Sequence, residues 1–425
     1  MTRNPCIAIV SPFLDKKHGT ERCVAEQSER LAREHGFEVH LFSQRIDDLS
    51  GVMSARDWQG SRKDANPAVG ASSGGLVWHR VSKIPGPQIV KYLWWLLANH
   101  FARWAARQHG TNFDLTYTPG INCFDADLVS VHIVFAEFVR QVKPELAFSR
   151  NPIGFWLRLA HRRLYYRLLM TLESHIYGNP GQRLVVVSKK VAEDLGRFYG
   201  RRDSMPLVYH GLDLERFNPQ RRMELRPASR QALCLPADGF VLLLIGNDFR
   251  KKGLRYLLQA AGQLKLERLN VLVVGEDDAT PYQDVIRTAG LEQRVRFLPI
   301  RPDVEFYYAA ADLYVGPSLE DAFSLPPAEA MACGVPAIVS RRAGVSEIIS
   351  HGADGFVLED PTDVSAMAEF IRRMMDHVDQ REAIGLAASH TARRYTWEQN
   401  VAEMKALILK TIAARTQGRT VEQFG

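Results

Sequence analysis

No C-x-x-C pair and no histidine cluster at the spacing of zinc ligands occurs in this chain, which removes the common zinc modules and the thiol redox motif. The five cysteines, Cys6, Cys23, Cys123, Cys234 and Cys333, are scattered over 425 residues and read as buried thiols in a reducing compartment. No uncharged run approaches the length of a membrane span, and the apolar stretch in MTRNPCIAIVSPF is too short for a signal-peptide core. A cytoplasmic protein, soluble or peripheral, is therefore expected. Neither G-x-x-x-x-G-K-[ST] nor, after the first strand, G-x-G-x-x-G is present, which excludes a Walker loop and argues against a dinucleotide oxidoreductase.

What the sequence does hold is apolar text, 46% of the residues, enough to bury two ordinary cores. A formal charge of +6 favours an anionic partner, whether nucleic acid, an anionic leaflet or a phosphorylated substrate. Ile7 to Val10, a helical pattern from Glu21 to Arg33, and Phe37 to Phe42 read as a βαβ unit with a buried parallel sheet. Further short runs follow at Leu115–Tyr117, Leu128–Val131 and Leu184–Ser188, while Asp57 to Gly75 reads as a surface excursion. Between Asn218 and Asp238 the text is Pro- and Arg-rich without periodicity, and a domain boundary is placed there. The second half alternates again: Phe240–Gly246, a helix over Leu254–Leu264, Val271–Gly275, Val295–Leu298, Leu313–Val315 and Pro336–Ser340. Both halves are thus α/β, with domains expected at 1–218 and 235–390 and a final helical segment at 391–425 that packs back across the joint.

Three stretches carry candidate chemistry. In Pro317 to Pro336, Asp321 and Glu329 bracket a loop and a helix start; the prolines at 326 and 327 suit a first helical turn, leaving the Ser324 and Leu325 amides for an anion. Glu329 is placed in that first turn, where it could accept from vicinal hydroxyls such as a ribose; acidic residues near a helix start also read simply as stabilising. Gly246 to Gly253 follows a strand and precedes a helix, and its cations Arg250, Lys251 and Lys252 suit a diphosphate, although a basic turn is also an ordinary solvated surface. In the loop after the first strand, Gly19 allows close approach of a ligand to the backbone.

With Val186–Lys189, Val208–Phe217 and Val274–Glu276 among them, these stretches resemble glycosyltransferase family 4 over nearly the whole chain. The resemblance implies the GT-B fold, two facing Rossmann-like domains with a C-terminal helix returning to the first, and a retaining hexosyltransferase. The donor, a nucleoside-diphosphate sugar, would be held mainly by the second domain, with no cofactor and no metal. It implies Asp321, where the family carries glutamate, at the donor sugar, Glu329 at the ribose, and Lys251 and Lys252 at the diphosphate, with Arg250 beside them; His18-Gly19 stands for the family's paired glycines.

Gly246 to Gly253, Phe297 to Val304 and Pro119-Gly120 most resemble the lipopolysaccharide core glucosyltransferases that add the first glucose to heptose. That likeness places Phe297 to Arg301 beside the base, makes UDP-glucose the donor, and makes a glycan or glycolipid of the cell envelope the acceptor at the inner membrane. His132 aligns roughly with the family's active-site loop, and a lone histidine beside a strand equally reads as structural. Aromatic residues beside arginines in 135–177, among them Phe155, Trp156, Arg162 and Arg163, and in 92–107, with Trp94, Trp95 and Trp104, suit an anionic membrane surface or a core with a solvated face. A catalytically silent scaffold or a nucleotide-sugar epimerase of the same fold are the rival readings. Nucleic-acid binding has no recognisable module.

Overall fold

A computed structural model describes residues 4–58, 74–142, 154, 156–236, 238–265 and 267–424. The chain divides into two compact units, residues 1–209 with 400–425 and residues 210–399.

In the first unit the elements run β1 (Cys6–Val10), β2 (Phe13–Leu14), α1 (Gly19–Arg33), β3 (Glu38–Ser43), β4 (Arg45–Ile46), β5 (Val52–Ser54), β6 (Gly75–Arg80), α2 (Gln88–Gln108), β7 (Leu115–Pro119), β8 (Leu128–Val131), α3 (Phe135–Val142), α4 (Trp156–Tyr177), β9 (Leu184–Val186) and α5 (Lys189–Tyr199). Seven strands form a parallel sheet in the order β5-β6-β3-β1-β7-β8-β9. Continuous apolar runs such as CIAIV are buried along their whole length, because helices cover a parallel sheet on both faces. Ile7, Ile9, Val39, Leu41 and Leu76 share one core with Val24 and Leu31 of α1 and with Val401, Met404 and Ile408 near the C-terminus.

The second unit contains α6 (Pro219–Ala232), β10 (Phe240–Ile245), α7 (Leu254–Leu264), β11 (Leu269–Val274), α8 (Gln283–Thr288), β12 (Val295–Leu298), α9 (Glu305–Ala310), β13 (Leu313–Gly316), α10 (Leu325–Ala332), β14 (Ala337–Ser340), β15 (Phe356–Leu358), α11 (Val364–Asp376) and α12 (Val378–Ala392). Its six parallel strands are ordered β12-β11-β10-β13-β14-β15. Helix α13 (Trp397–Phe424) begins in this unit and continues in the first.

The structure corrects several readings of the sequence. The aperiodic stretch after Asn218 is a helix: Asn218 caps α6 by accepting from the Arg221 amide, and Pro219 occupies its first turn. Its arginines, spaced by four, form a ladder on one face. Arg222 donates to the Ala311 carbonyl (2.9 Å), Arg226 to the carbonyls of Ala309 and Ala311 (3.0 Å each), and Arg226 and Arg230 pair with Asp312 at 2.5 and 3.2 Å. These guanidinium groups occupy carbonyls left over at the end of α9, so α6 packs within the second unit. Cys234 is exposed, whereas the other four thiols are buried. Strands β5 and β6 were not anticipated, and most of the 57–75 excursion, like Phe155, lies outside the described residues.

Candidate functional site

Strands β10 and β13 are hydrogen-bonded neighbours, so the loops that follow them leave the carboxyl edge of the sheet side by side. The first loop turns through positive φ at Gly246 (146°), Asp248 (59°) and Gly253 (77°). Asp248 accepts the Lys251 amide at 3.0 Å, Asn247 accepts the Glu276 amide at 2.9 Å and Asp277 accepts the Phe249 amide at 2.8 Å, which ties this loop to the one after β11. A Cβ on Gly253 would lie 2.1 Å from the Pro317 carbonyl oxygen, and one on Gly246 would lie 2.7 Å from Cε of Lys252. Only glycine lets the two loops and the lysine side chain approach this closely.

Across that gap the Lys252 ammonium donates to the Asp321 carboxylate at 2.5 Å and to the Ser324 hydroxyl at 3.3 Å. Burial alone would raise the Asp321 carboxyl, but the Lys252 and Lys251 charges, with hydrogen bonds from Lys252 and the Phe323 amide, hold it at about 2. The Asp321 backbone is fixed on both sides, its amide donating to Arg342 (3.0 Å) and its carbonyl accepting from Gly344 (3.1 Å). Lys251 is half-buried beside Lys252 and Arg250 is exposed. The cluster is a cation restrained by a carboxylate and a hydroxyl, an arrangement able to exchange part of its pairing for an incoming phosphate while the carboxylate accepts from hydroxyls.

Ser324, with φ of 75°, precedes α10, whose first residues are Leu325, Pro326 and Pro327. Because α10 begins at Leu325, Glu329 falls in its second turn, not the first. Glu329 is 4% exposed and accepts a 2.7 Å hydrogen bond from the Tyr308 hydroxyl of α9, a partner 21 residues away. Phe297 lies at the sheet edge on β12, two strands from β10, and meets the loop at Phe249, whose ring centre is 5.6 Å away. Arg301 is engaged by Asp303 at 2.8 and 2.9 Å and covers the Phe306 ring, so its charge is already paired outside the lysine cluster.

The first unit holds a cavity of about 660 Å³ at the carboxyl edge of its own sheet. His132 lines it, as do Pro119 and Gly120. Gly19, the first residue of α1, has open space where a Cβ would be, so packing does not demand glycine there. Beside it stands Glu21, a residue passed over in the sequence, which lines the cavity and whose carboxyl is raised by burial. Lys83 and Lys91 bring positive charge, and Trp95, Tyr92 and Tyr165 bring aromatic faces. The Tyr177 hydroxyl is wholly buried at the lining with no hydrogen-bond partner among the described residues. His132 is oriented by a buried chain: its Nε2 meets Ser130 Oγ at 3.0 Å, Ser130 meets the Tyr117 hydroxyl at 2.8 Å, and Tyr117 donates to Gln27 at 3.0 Å. Trp95, 2% exposed, and Tyr92, bonded to the Ile121 carbonyl, belong to this cavity and not to an outer surface.

Comparison with known proteins also separates the chain into two parts. Residues 18–216 match the glycosyltransferase family 4 model and residues 226–391 match the model of glycosyl transferases group 1. The D-inositol 3-phosphate glycosyltransferase of Thermobifida fusca is 34% identical over 234 residues, covering 52% of this chain and 53% of that protein. The protein of the same name from Corynebacterium urealyticum is 30% identical over 248 residues, 55% of this chain and 58% of its own length. The chain thus spans little more than half the length of the curated relatives it matches. Among solved structures, WaaG, a glycosyltransferase involved in lipopolysaccharide biosynthesis, superposes with a TM-score of 0.73 at 18% identity, covering 95% of this chain and 99% of WaaG. Anabaena HepE in complex with UDP-glucose gives 0.65 at 18% identity, covering 96% and 99%. Two parallel Rossmann-like sheets, each matching its own family model, give this chain the GT-B fold of the group 1 and family 4 glycosyltransferases.

Proposed function

We propose that this protein is a retaining glycosyltransferase that moves a hexose from a nucleoside-diphosphate sugar to a hydroxyl of a cell-envelope glycan or glycolipid. The observation that carries the reading is the Lys252–Asp321–Ser324 cluster between the loops after β10 and β13. Lys252, Lys251 and the start of α10 stabilise the charge that grows on the departing diphosphate, Asp321 accepts from donor-sugar hydroxyls, and Glu329 holds the ribose. Phe297 and the backbone to Arg301 sit beside the base, and UDP is the leaving group, as supported by the UDP-glucose held by HepE. The diphosphate accepts the acceptor's proton on the face it leaves, so the protein supplies position and electrostatics without a metal. Calorimetric titration with UDP, GDP, ADP and their hexose conjugates tests this: one diphosphate binds selectively and Glu329→Ala abolishes it. Absence of any nucleotide binding leaves a silent scaffold as the better account, and turnover of the nucleotide sugar without an acceptor would mark an epimerase.

The cavity of the first unit takes the acceptor, with His132 near the reacting hydroxyl. Lys83 and Lys91 in its lining favour an acceptor that carries phosphate, which a phosphorylated lipopolysaccharide core or an inositol phosphate, the substrate in the names of the curated relatives, would satisfy. No helix among the described residues is long and apolar enough to cross a membrane. Contact with an anionic leaflet at the cytoplasmic side of the inner membrane instead rests on α2, where Leu93, Leu97, Phe101 and Trp104 are 43–62% exposed along one helical face. On α4, exposed Trp156, Leu157 and Leu164 lie among Arg158, Arg162 and Arg163.

A further inference from the structure

The first sheet carries a second group of chemically able side chains, on the face away from the Ile7, Ile9, Val39 and Leu41 core. Residues alternate faces along a strand, so Cys6 of β1, Glu38 and His40 of β3 and His79 of β6 share that opposite face. The parallel register places Cys6 beside Glu38, although they are distant in sequence and show no zinc-ligand spacing. One ligand atom from each of Cys6, Glu38 and His40 lies within 4.8 Å of the other two. Cys6 and His40 are each 1% exposed, while the Glu38 side chain retains 14% exposure and opens the group to water.

We propose that Cys6 Sγ, His40 Nε2 and a Glu38 carboxylate oxygen form a binding site for a divalent cation of the Zn²⁺ class. One thiolate, one imidazole and one carboxylate make a mixed soft and hard donor set that a tetrahedral, borderline-soft ion accepts, with water completing the coordination on the Glu38 side. The ring of His40 is already aimed: Nε2 faces Glu38 at 2.8 Å and Nδ1 faces His79 Nε2 at 2.7 Å. His79 is the outer partner that a metal-bound imidazole requires, and its own ring is held against Phe42, with centres 4.4 Å apart and planes 13° from parallel. On binding, His40 changes tautomer and keeps one proton: Nε2 gives up its hydrogen to the metal's approach while Nδ1 becomes protonated and donates to His79. The His79 proton moves to that residue's other nitrogen, and the thiol proton of Cys6 leaves to solvent, one proton per metal. The site is separate from the donor cluster and the cavity, so its role is to fasten β1 to β3.

The full-length protein, stripped with a chelator, is titrated with Co²⁺ alone and read by its absorption spectrum. One equivalent is expected to produce a thiolate-to-cobalt charge-transfer band that Zn²⁺ displaces, and Zn²⁺ is expected to raise the melting temperature. Cys6→Ser removes the band, Cys234→Ser retains it, and His79→Phe keeps the stoichiometry while weakening affinity by roughly tenfold to a hundredfold. Circular dichroism of each stripped variant establishes that it is folded. No band with the wild type, or a band that survives in folded Cys6→Ser, overturns the site. Nucleotide titration of the stripped protein separates this outcome from failure of the glycosyltransferase reading.

Discussion

The ammonium of Lys252 and the carboxylate of Asp321 meet at 2.5 Å although 69 residues separate them in the chain. Two adjacent parallel strands make this possible, each ending at the same edge. Replacing Lys252 with alanine should lower turnover by roughly a hundredfold or more, the loss typical of one oriented electrostatic group, while the fold persists. Steady-state kinetics of the folded Lys252→Ala variant checks this, and near-wild-type turnover refutes the assignment.

The same pair sets a pH dependence. Asp321 titrates at about 2 in the folded protein against 3.8 for an ordinary aspartate, so its contribution is present above 3.8 and is lost as pH falls from 3.8 through about 2. The full contribution is about 2 kcal/mol from a shift of that size. Urea unfolding of wild type and Asp321→Asn at neutral pH and near pH 2 should show the two midpoints converging in acid. A constant difference would show that the pairing does not control this carboxyl.

Two glycines of one loop should behave differently. At Gly253 the obstacle is a backbone carbonyl, which cannot move aside, so Gly253→Ala should destabilise strongly and lower expression. At Gly246 the obstacle is the far part of the Lys252 side chain, so Gly246→Ala should fold with a strain of about 1–3 kcal/mol and lose donor binding. Thermal melts paired with nucleotide titration distinguish these outcomes; equal behaviour of the two variants would refute the loop geometry. Gly19→Ala, with open space around it, should melt like the wild type.

His132 lines a cavity in the unit that lacks the lysine cluster, so His132→Gln should leave nucleotide affinity unchanged and lower kcat/KM for the acceptor by roughly a hundredfold. Tyr117→Phe, which removes the hydroxyl joining Ser130 to Gln27, should reproduce part of that loss. Parallel calorimetry and kinetics test both, and a loss of nucleotide binding in His132→Gln would point to a different role.

The exposed face of α2 predicts a result with vesicles. Leu97→Ser combined with Phe101→Ser should reduce sedimentation with anionic liposomes while leaving turnover on a soluble acceptor intact. Arg162→Glu with Arg163→Glu should do the same and increase the salt sensitivity of what remains. Unchanged sedimentation in both would exclude these surfaces.

The parts of the fold that the sequence displayed are those whose physics is local. Phe240–Ile245 and Val271–Val274 are buried on both sheet faces and so spell continuous apolar runs, and the loop between Gly246 and Gly253 shows its turn in its glycines. Helix α6 was hidden because its arginines are held by the carbonyls of Ala309 and Ala311 and by the Asp312 carboxylate, a partnership that leaves no apolar period to read. Glu329 reads as a first-turn residue because prolines mark a helix start without fixing its first residue, and its bond to Tyr308 is long-range. Arg301 displays a cation in the sequence while Asp303, two residues on, neutralises it. Glu21 passed unnoticed because an acidic residue in a first helical turn is ordinary, and only the cavity beside it gives it another use.

The first unit's core is closed by Val401, Met404 and Ile408, residues near the end of the chain. Synthesis proceeds from the N-terminus, at about 5–20 residues per second, so the first 209 residues leave the ribosome well before these side chains exist. Until then Ile7, Ile9 and Leu41 lack part of their cover, and the nascent sheet presents an apolar surface for the whole time the second unit is being made. The order in which the two cores can close is therefore the reverse of the order in which the units begin: the core of residues 210–399 is built from side chains within that span, whereas the unit that starts first is finished last.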